Sequence, residues 1–118
     1  MKALSSEYIP HINGCIAEFH GYQAAIKQGH IGIRGPKHVN TPGPDFITYN
    51  PKDSRLYVWD SKYRKDCQWP SKAKGFRTKE WTKAVQEAID EYPDELLRNR
   101  LQFAFDHNLI EWRIFQWP

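Results

Sequence analysis

Two aspartates fifteen residues apart, and a lysine two residues after the second, are the side chains best suited to chemistry in this chain. Asp45 follows a Gly-Pro turn, and Asp60 and Lys62 lie in a segment rich in aromatic and β-branched residues, which is typical of a strand. Side chains alternate across a strand, so Asp60 and Lys62 are expected on one face. Carboxylates beside a fixed positive charge can bind a divalent cation and a phosphate together.

A β-hairpin would bring the two aspartates together. Residues 50–54 between the two segments are dense in turn formers. If Asn50 lies opposite Arg55, then Asp45 lies directly opposite Asp60. Opposed side chains in an antiparallel pair have Cβ atoms roughly 4.5–5.5 Å apart, and two carboxylates that close repel each other unless a cation lies between them. The spacing therefore predicts a metal site with hard oxygen ligands, which suit Mg²⁺ or Mn²⁺ better than Zn²⁺.

The motif Pro44-Asp45 followed by Asp60-Ser61-Lys62 resembles the PD-(D/E)XK nuclease superfamily in its D-x-K variant. The longer string from Thr41 to Tyr63 is similar to the toxin domains at the C-termini of contact-dependent growth inhibition proteins, some of which are nucleases that cleave transfer RNA. The close resemblance covers about residues 40–65. It implies a metal-dependent endonuclease in which Asp45 and Asp60 bind the metal and Lys62 assists hydrolysis.

The same resemblance implies a third metal ligand and a biological setting. Superfamily members usually place a glutamate from the first helix on the metal, and Glu18 matches that role, with Glu7 as its competitor. A toxin of this kind has a cognate immunity protein and is delivered into the target-cell cytoplasm as part of a larger secreted or surface protein. Two rival interpretations stay open: a DNase toxin or restriction-like DNA endonuclease, and a non-catalytic nucleic-acid-binding module on the same fold.

The charge distribution favours a polyanionic partner. Residues 62–83 carry eight basic and two acidic residues, whereas the net charge of the whole chain is only +3. A basic stretch that begins inside the proposed site suits phosphate contacts. The residues that we expect to contact substrate are Tyr49, Tyr63, Arg64, Lys72, Lys74 and Arg77.

Hydrophobic periodicity predicts the elements that position these residues. Apolar side chains at Ile12, Ile16, Phe19 and Ile26 predict the buried face of a first helix. The predicted elements are a helix over 10–28, a strand over 30–34, hairpin strands over 45–50 and 55–63, a helix or helix pair from 79 with an interruption at Pro93, and a strand over 110–117.

Length and composition indicate one globular domain over residues 1–118. The chain is 40% hydrophobic and 14% aromatic, which argues against a disordered tail. No apolar run approaches membrane-spanning length, and the sequence alone predicts a soluble protein. The order of elements predicts an α/β fold. The resemblance implies that they assemble as a restriction-endonuclease-like core, a mixed sheet of about four strands flanked by helices.

Overall fold

A computed structural model describes the backbone of residues 8–36, 43–62 and 79–116. Within these ranges the predicted order of elements is confirmed, and the last helical stretch is a helix pair. The elements are α1 (Tyr8–Lys27), β1 (Ile31–Arg34), β2 (Phe46–Asn50), β3 (Arg55–Lys62), α2 (Lys79–Asp90), α3 (Glu95–Asp106) and β4 (Ile110–Gln116). The break between α2 and α3 lies at the predicted interruption. The Asp94 carboxylate caps α3 there by accepting a hydrogen bond from the Leu97 N–H at 3.1 Å.

The four strands form one mixed sheet in the order β1-β2-β3-β4. The pairs β1–β2 and β2–β3 are antiparallel, whereas β3 and β4 run parallel. A parallel pair needs a crossover connection, and α2 and α3 lie in the chain between these two strands. The predicted mixed four-stranded sheet flanked by helices is confirmed.

One face of the sheet builds the main core with α2 and α3. Residues that alternate along the hairpin strands point to this face, where they pack against small and branched residues of the two helices. The fully or almost fully buried members are Ile47, Tyr49, Leu56, Val58, Val85, Ala88, Ile89, Leu101 and Ala104. Each large apolar side chain buried here contributes about 1.5–3 kcal/mol of transfer free energy, so this cluster fixes the hairpin against the helices.

The first helix lies on the opposite face of the sheet and approaches it closely through small residues. Ala17 is 0% exposed and Ala25 is 3% exposed. A Cβ atom at Gly21 would lie 2.7 Å from Cδ1 of Phe115 and 2.9 Å from Cζ of Phe46, so only glycine fits there. The close contact of α1 with the sheet therefore depends on an i, i+4 row of small side chains.

The predicted buried face of α1 is wrong. Ile16, Phe19 and Ile26 are 39%, 53% and 41% exposed, and they lie on the side of the helix away from the sheet. Large side chains on the sheet side would hold the helix too far out for the contacts of Gly21. Although α1 carries apolar residues on both sides, no helix in the described part of the chain is long and apolar enough to cross a membrane.

Candidate active site

Three acidic residues from separate elements meet at one end of the sheet. Glu18 lies within α1, next to the buried Ala17. Asp45 immediately precedes β2, and Asp60 lies near the end of β3. Because β2 begins where β3 ends in an antiparallel pair, Asp45 and Asp60 are brought to the same end of the sheet.

The hairpin register is the predicted one as far as Phe46. Asn50 pairs with Arg55, and the pairing continues to Phe46 and Trp59. Beyond that point Asp45 leaves the ladder, and its N–H donates to the Trp59 carbonyl oxygen at 2.9 Å. The expectation that Asp45 faces Asp60 as a directly opposed pair therefore needs correction, because the regular pairing ends one residue earlier.

The Asp45 carboxylate is oriented by Ser61. The backbone N–H of Ser61 donates to Asp45 Oδ2 at 2.7 Å, and its hydroxyl donates to the same oxygen at 3.2 Å. Two hydrogen bonds to one oxygen hold the carboxylate at a fixed orientation. Sequence reasoning treated Ser61 only as the spacer of the Asp-Ser-Lys motif. A hydroxyl residue between the second acid and the lysine was the available signal.

Glu18 interacts with both aspartates, and these interactions contribute to a shift of its pKa. Burial, the negative charge of Asp45, a hydrogen bond with Asp45 and the charge of Asp60, in that order, raise the pKa of Glu18 from 4.5 to about 8. At neutral pH Glu18 is therefore protonated and donates its hydrogen bond to the Asp45 carboxylate. A carboxyl group whose pKa rises this far in contact with a second acid is typical of functional sites.

Asp45 affects the pKa of Glu18 more strongly than Asp60 does, because it adds a hydrogen bond to its negative charge. By strand alternation Asp60 lies on the face of Val58, which packs against α2 and α3, whereas α1 lies on the other face. Asp60 is only 6% exposed. Glu18 thus interacts with Asp45 through its charge and a hydrogen bond, and with Asp60 through its charge.

The remaining predicted site residues fall into two groups. Lys62 is the last residue of β3 and pairs with Gln116 of β4 through the backbone, and its side chain lies outside the described part of the structure. Tyr49 is 2% exposed and belongs to the core at the other end of β2, away from the three acids. The predicted residues that lie wholly outside the described ranges are Glu7, Tyr63, Arg64, Lys72, Lys74 and Arg77.

The donor chemistry of the acids fits a hard divalent cation. Glu18 and Asp45 are in hydrogen-bond contact, and a cation between them would replace the proton that they share. Among the described side chains, no group of three or more His, Cys, Asp or Glu is placed to hold one metal ion jointly. Glu18 and Asp45 are therefore the pair that would hold such an ion, with Asp60 as the nearby third acid.

Comparisons of the chain with protein-family models, with curated proteins and with solved structures gave no match. The chemical interpretation of the site therefore depends on its own residues: the protonated Glu18, the Asp45 carboxylate held by Ser61, and the buried Asp60.

Proposed function

We propose that this protein is a metal-dependent endonuclease that hydrolyses phosphodiester bonds. We further propose that it acts as the toxin domain of a contact-dependent growth inhibition protein, with transfer RNA as its substrate. The observation that carries the first proposal is the interaction of Glu18 in α1 with Asp45, which precedes β2, and with Asp60 in β3. Two acids that share a proton, with a third nearby, can bind a cation in place of that proton.

Each residue of the site has an assigned part in hydrolysis. A bound Mg²⁺ or Mn²⁺ ion would supply charge neutralisation and a more acidic water. Glu18 must lose its proton before it can act as a ligand, and Asp45 is already held by Ser61 in one orientation. Lys62, which follows Asp60 by two residues, is assigned to stabilise negative charge on the phosphate.

The topology supports the same proposal. A helix, an antiparallel hairpin and a parallel fourth strand reached through two helices are the order expected of a restriction-endonuclease-like core. The resemblance of residues 40–65 and the basic stretch of residues 62–83 point to the same substrate class, a nucleic acid. Cleavage of transfer RNA and the toxin role depend on the resemblance alone.

The test is metal-dependent cleavage of a panel of transfer RNA, single-stranded DNA and double-stranded DNA. Asp60→Asn keeps the volume of this buried side chain and removes its charge. We expect it to reduce cleavage by about ten- to a hundredfold, the usual loss when an acid that supports a metal site is removed. Glu87→Gln, an exposed change on α2, is the matched control and should cleave like the wild type.

The outcomes of this panel separate the alternatives. Cleavage of DNA alone would identify a DNase, and binding of nucleic acid with no cleavage under Mg²⁺ or Mn²⁺ would identify a binding module. Near-wild-type cleavage by Asp60→Asn would contradict the site assignment.

The toxin role is tested by expressing the domain inside bacteria. The wild-type domain should arrest growth, and Asp60→Asn should not. Co-expression of the adjacent gene, as the immunity protein, should restore growth. Normal growth with an active nuclease would refute that role.

A further inference from the structure

A cavity of about 200 Å³ lies between α3 and the turn of the β2–β3 hairpin. Its lining residues are Tyr49, Ser54, Arg100 and Phe103. Tyr49 is four residues along β2 from Asp45, or about 13 Å at ~3.3 Å per residue, so the cavity is separate from the three acids. Pockets for drug-sized ligands measure ~300–1,000 Å³, and this smaller volume suits a single ring system.

Three of the lining residues present polar groups that the fold does not use. Among the described residues, neither the Arg100 guanidinium nor the Ser54 hydroxyl has an ion pair or hydrogen bond. Tyr49 is almost fully buried, yet no side-chain oxygen or nitrogen in the described part of the chain is both fully buried and unpaired. The Tyr49 hydroxyl, which has no partner among those residues, must therefore open into the cavity that Tyr49 lines.

The fourth lining residue is an exposed aromatic ring held in place. Phe103 is 57% exposed, and its ring stacks on His107 with centroids 3.9 Å apart and planes 24° apart. His107 Nδ1 donates to the Phe103 carbonyl oxygen at 2.9 Å, which fixes the stack on the surface of α3. An ordered, water-exposed ring can take a further planar group at little entropic cost.

We propose that this cavity binds one nucleotide of a single-stranded nucleic acid. The base stacks on Phe103, the adjacent phosphate pairs with Arg100, and the hydroxyls of Tyr49 and Ser54 hydrogen-bond the base edge or the sugar. A stacking ring beside a cation is the arrangement by which proteins hold single strands. The inference rests on the proposed function only for the identity of the strand, which is then the substrate, anchored away from the bond that is cut.

The test is equilibrium binding of a fluorescein-labelled single-stranded RNA oligonucleotide to the full chain, in EDTA so that no cleavage occurs. Phe103→Ala should weaken binding by at least about fivefold, because base–aromatic stacking is removed. Arg100→Gln should lower the slope of log affinity against log salt by about 0.7, the value for one phosphate contact on a single strand. Both positions are exposed, so the fold is kept, and circular dichroism verifies this.

Arg113→Gln is the matched control, because it removes the same charge from an exposed side chain on β4. It should leave the affinity unchanged within about twofold. Tyr49→Phe, which deletes only the hydroxyl, should weaken binding by about three- to tenfold, the usual loss for one hydrogen bond. Equal affinities and salt slopes for the wild type, Phe103→Ala and Arg100→Gln would overturn the inference, as would absence of binding to the wild type.

This experiment separates the cavity from the nuclease proposal. If binding depends on Phe103 and Arg100 but no nucleic acid is cleaved, the cavity inference stands and the nuclease proposal fails. If the wild type cleaves its substrate and Phe103→Ala has unchanged affinity and unchanged KM, the nuclease proposal stands and the cavity inference fails.

Discussion

Replacement of Glu18 by glutamine tests the carboxyl cluster directly, because it keeps the size and hydrogen bonding of the side chain and removes its titration. The pKa of Glu18 is 4.5 when the chain is unfolded and about 8 in the folded protein. Between these pH values the folded protein holds a proton that the unfolded chain has released. The free energy of unfolding of the wild type should therefore fall as pH rises from about 4.5 to about 8.

The size of this fall has an upper limit set by the two pKa values. At 1.36 kcal/mol per pH unit, the interval from 4.5 to about 8 corresponds to at most about 5 kcal/mol. Glu18 is only partly buried, so solvent screens its repulsion with Asp45, and we expect about 1–2 kcal/mol. Glu18→Gln should lack this fall, so the variant should match the wild type near pH 5 and exceed its stability by that amount near pH 9.

Urea unfolding between pH 5 and pH 9, in EDTA, measures the difference. Glu80→Gln, an exposed change in the first turn of α2, is the control and should leave the wild-type profile unchanged. Coincident profiles for the wild type and Glu18→Gln would refute the reasoning, because they would mean that Glu18 does not share a proton with Asp45.

The same variant tests the role of Glu18 as a metal ligand. A carboxyl group must release its proton to bind a metal ion, so the affinity of the wild type for Mn²⁺ should rise by up to about tenfold per pH unit below pH 8. Glu18→Gln should bind Mn²⁺ more weakly and lose most of this pH dependence, whereas Glu7→Gln should be mild. Isothermal titration decides between the two glutamates. Loss of binding in Glu7→Gln alone would show that the ligand was assigned to the wrong residue of the N-terminal segment.

Two further predictions concern packing and substrate binding. Gly21→Ala should lower the free energy of unfolding by about 1–3 kcal/mol, because its methyl group would overlap the sheet, although alanine favours a helix by about 1 kcal/mol. Denaturant unfolding measures this, with the exposed change Gln23→Ala as control, and unchanged stability would contradict the close packing of α1. Neutralising Lys72, Lys74 and Arg77 together should reduce the slope of log affinity against log salt for nucleic-acid binding. We expect a reduction of roughly 0.7–0.9 for every phosphate contact that is lost. An unchanged slope would mean that these residues only solvate the surface.

The sequence determined the elements and the hairpin that carries two of the acids. Turn-forming residues between two β-rich segments set the pairing of Asn50 with Arg55, and this register places Asp60 near Asp45 without further information. The predicted interruption at Pro93 and the predicted strand over 110–117 likewise identified α3 and β4. These features are local, since turn chemistry, capping and periodicity act between residues close together in the chain.

Only the tertiary structure decided which face of α1 meets the sheet. The larger apolar residues predicted one face, and the row of Ala17, Gly21 and Ala25 forms the contact instead, because closeness to Phe46 and Phe115 requires small side chains. That choice brings Glu18 to Asp45 and raises its pKa, and it could not be read from α1 alone. The proton shared between the helix and the hairpin depends on how far apart two packed elements lie, which no pattern within either element specifies.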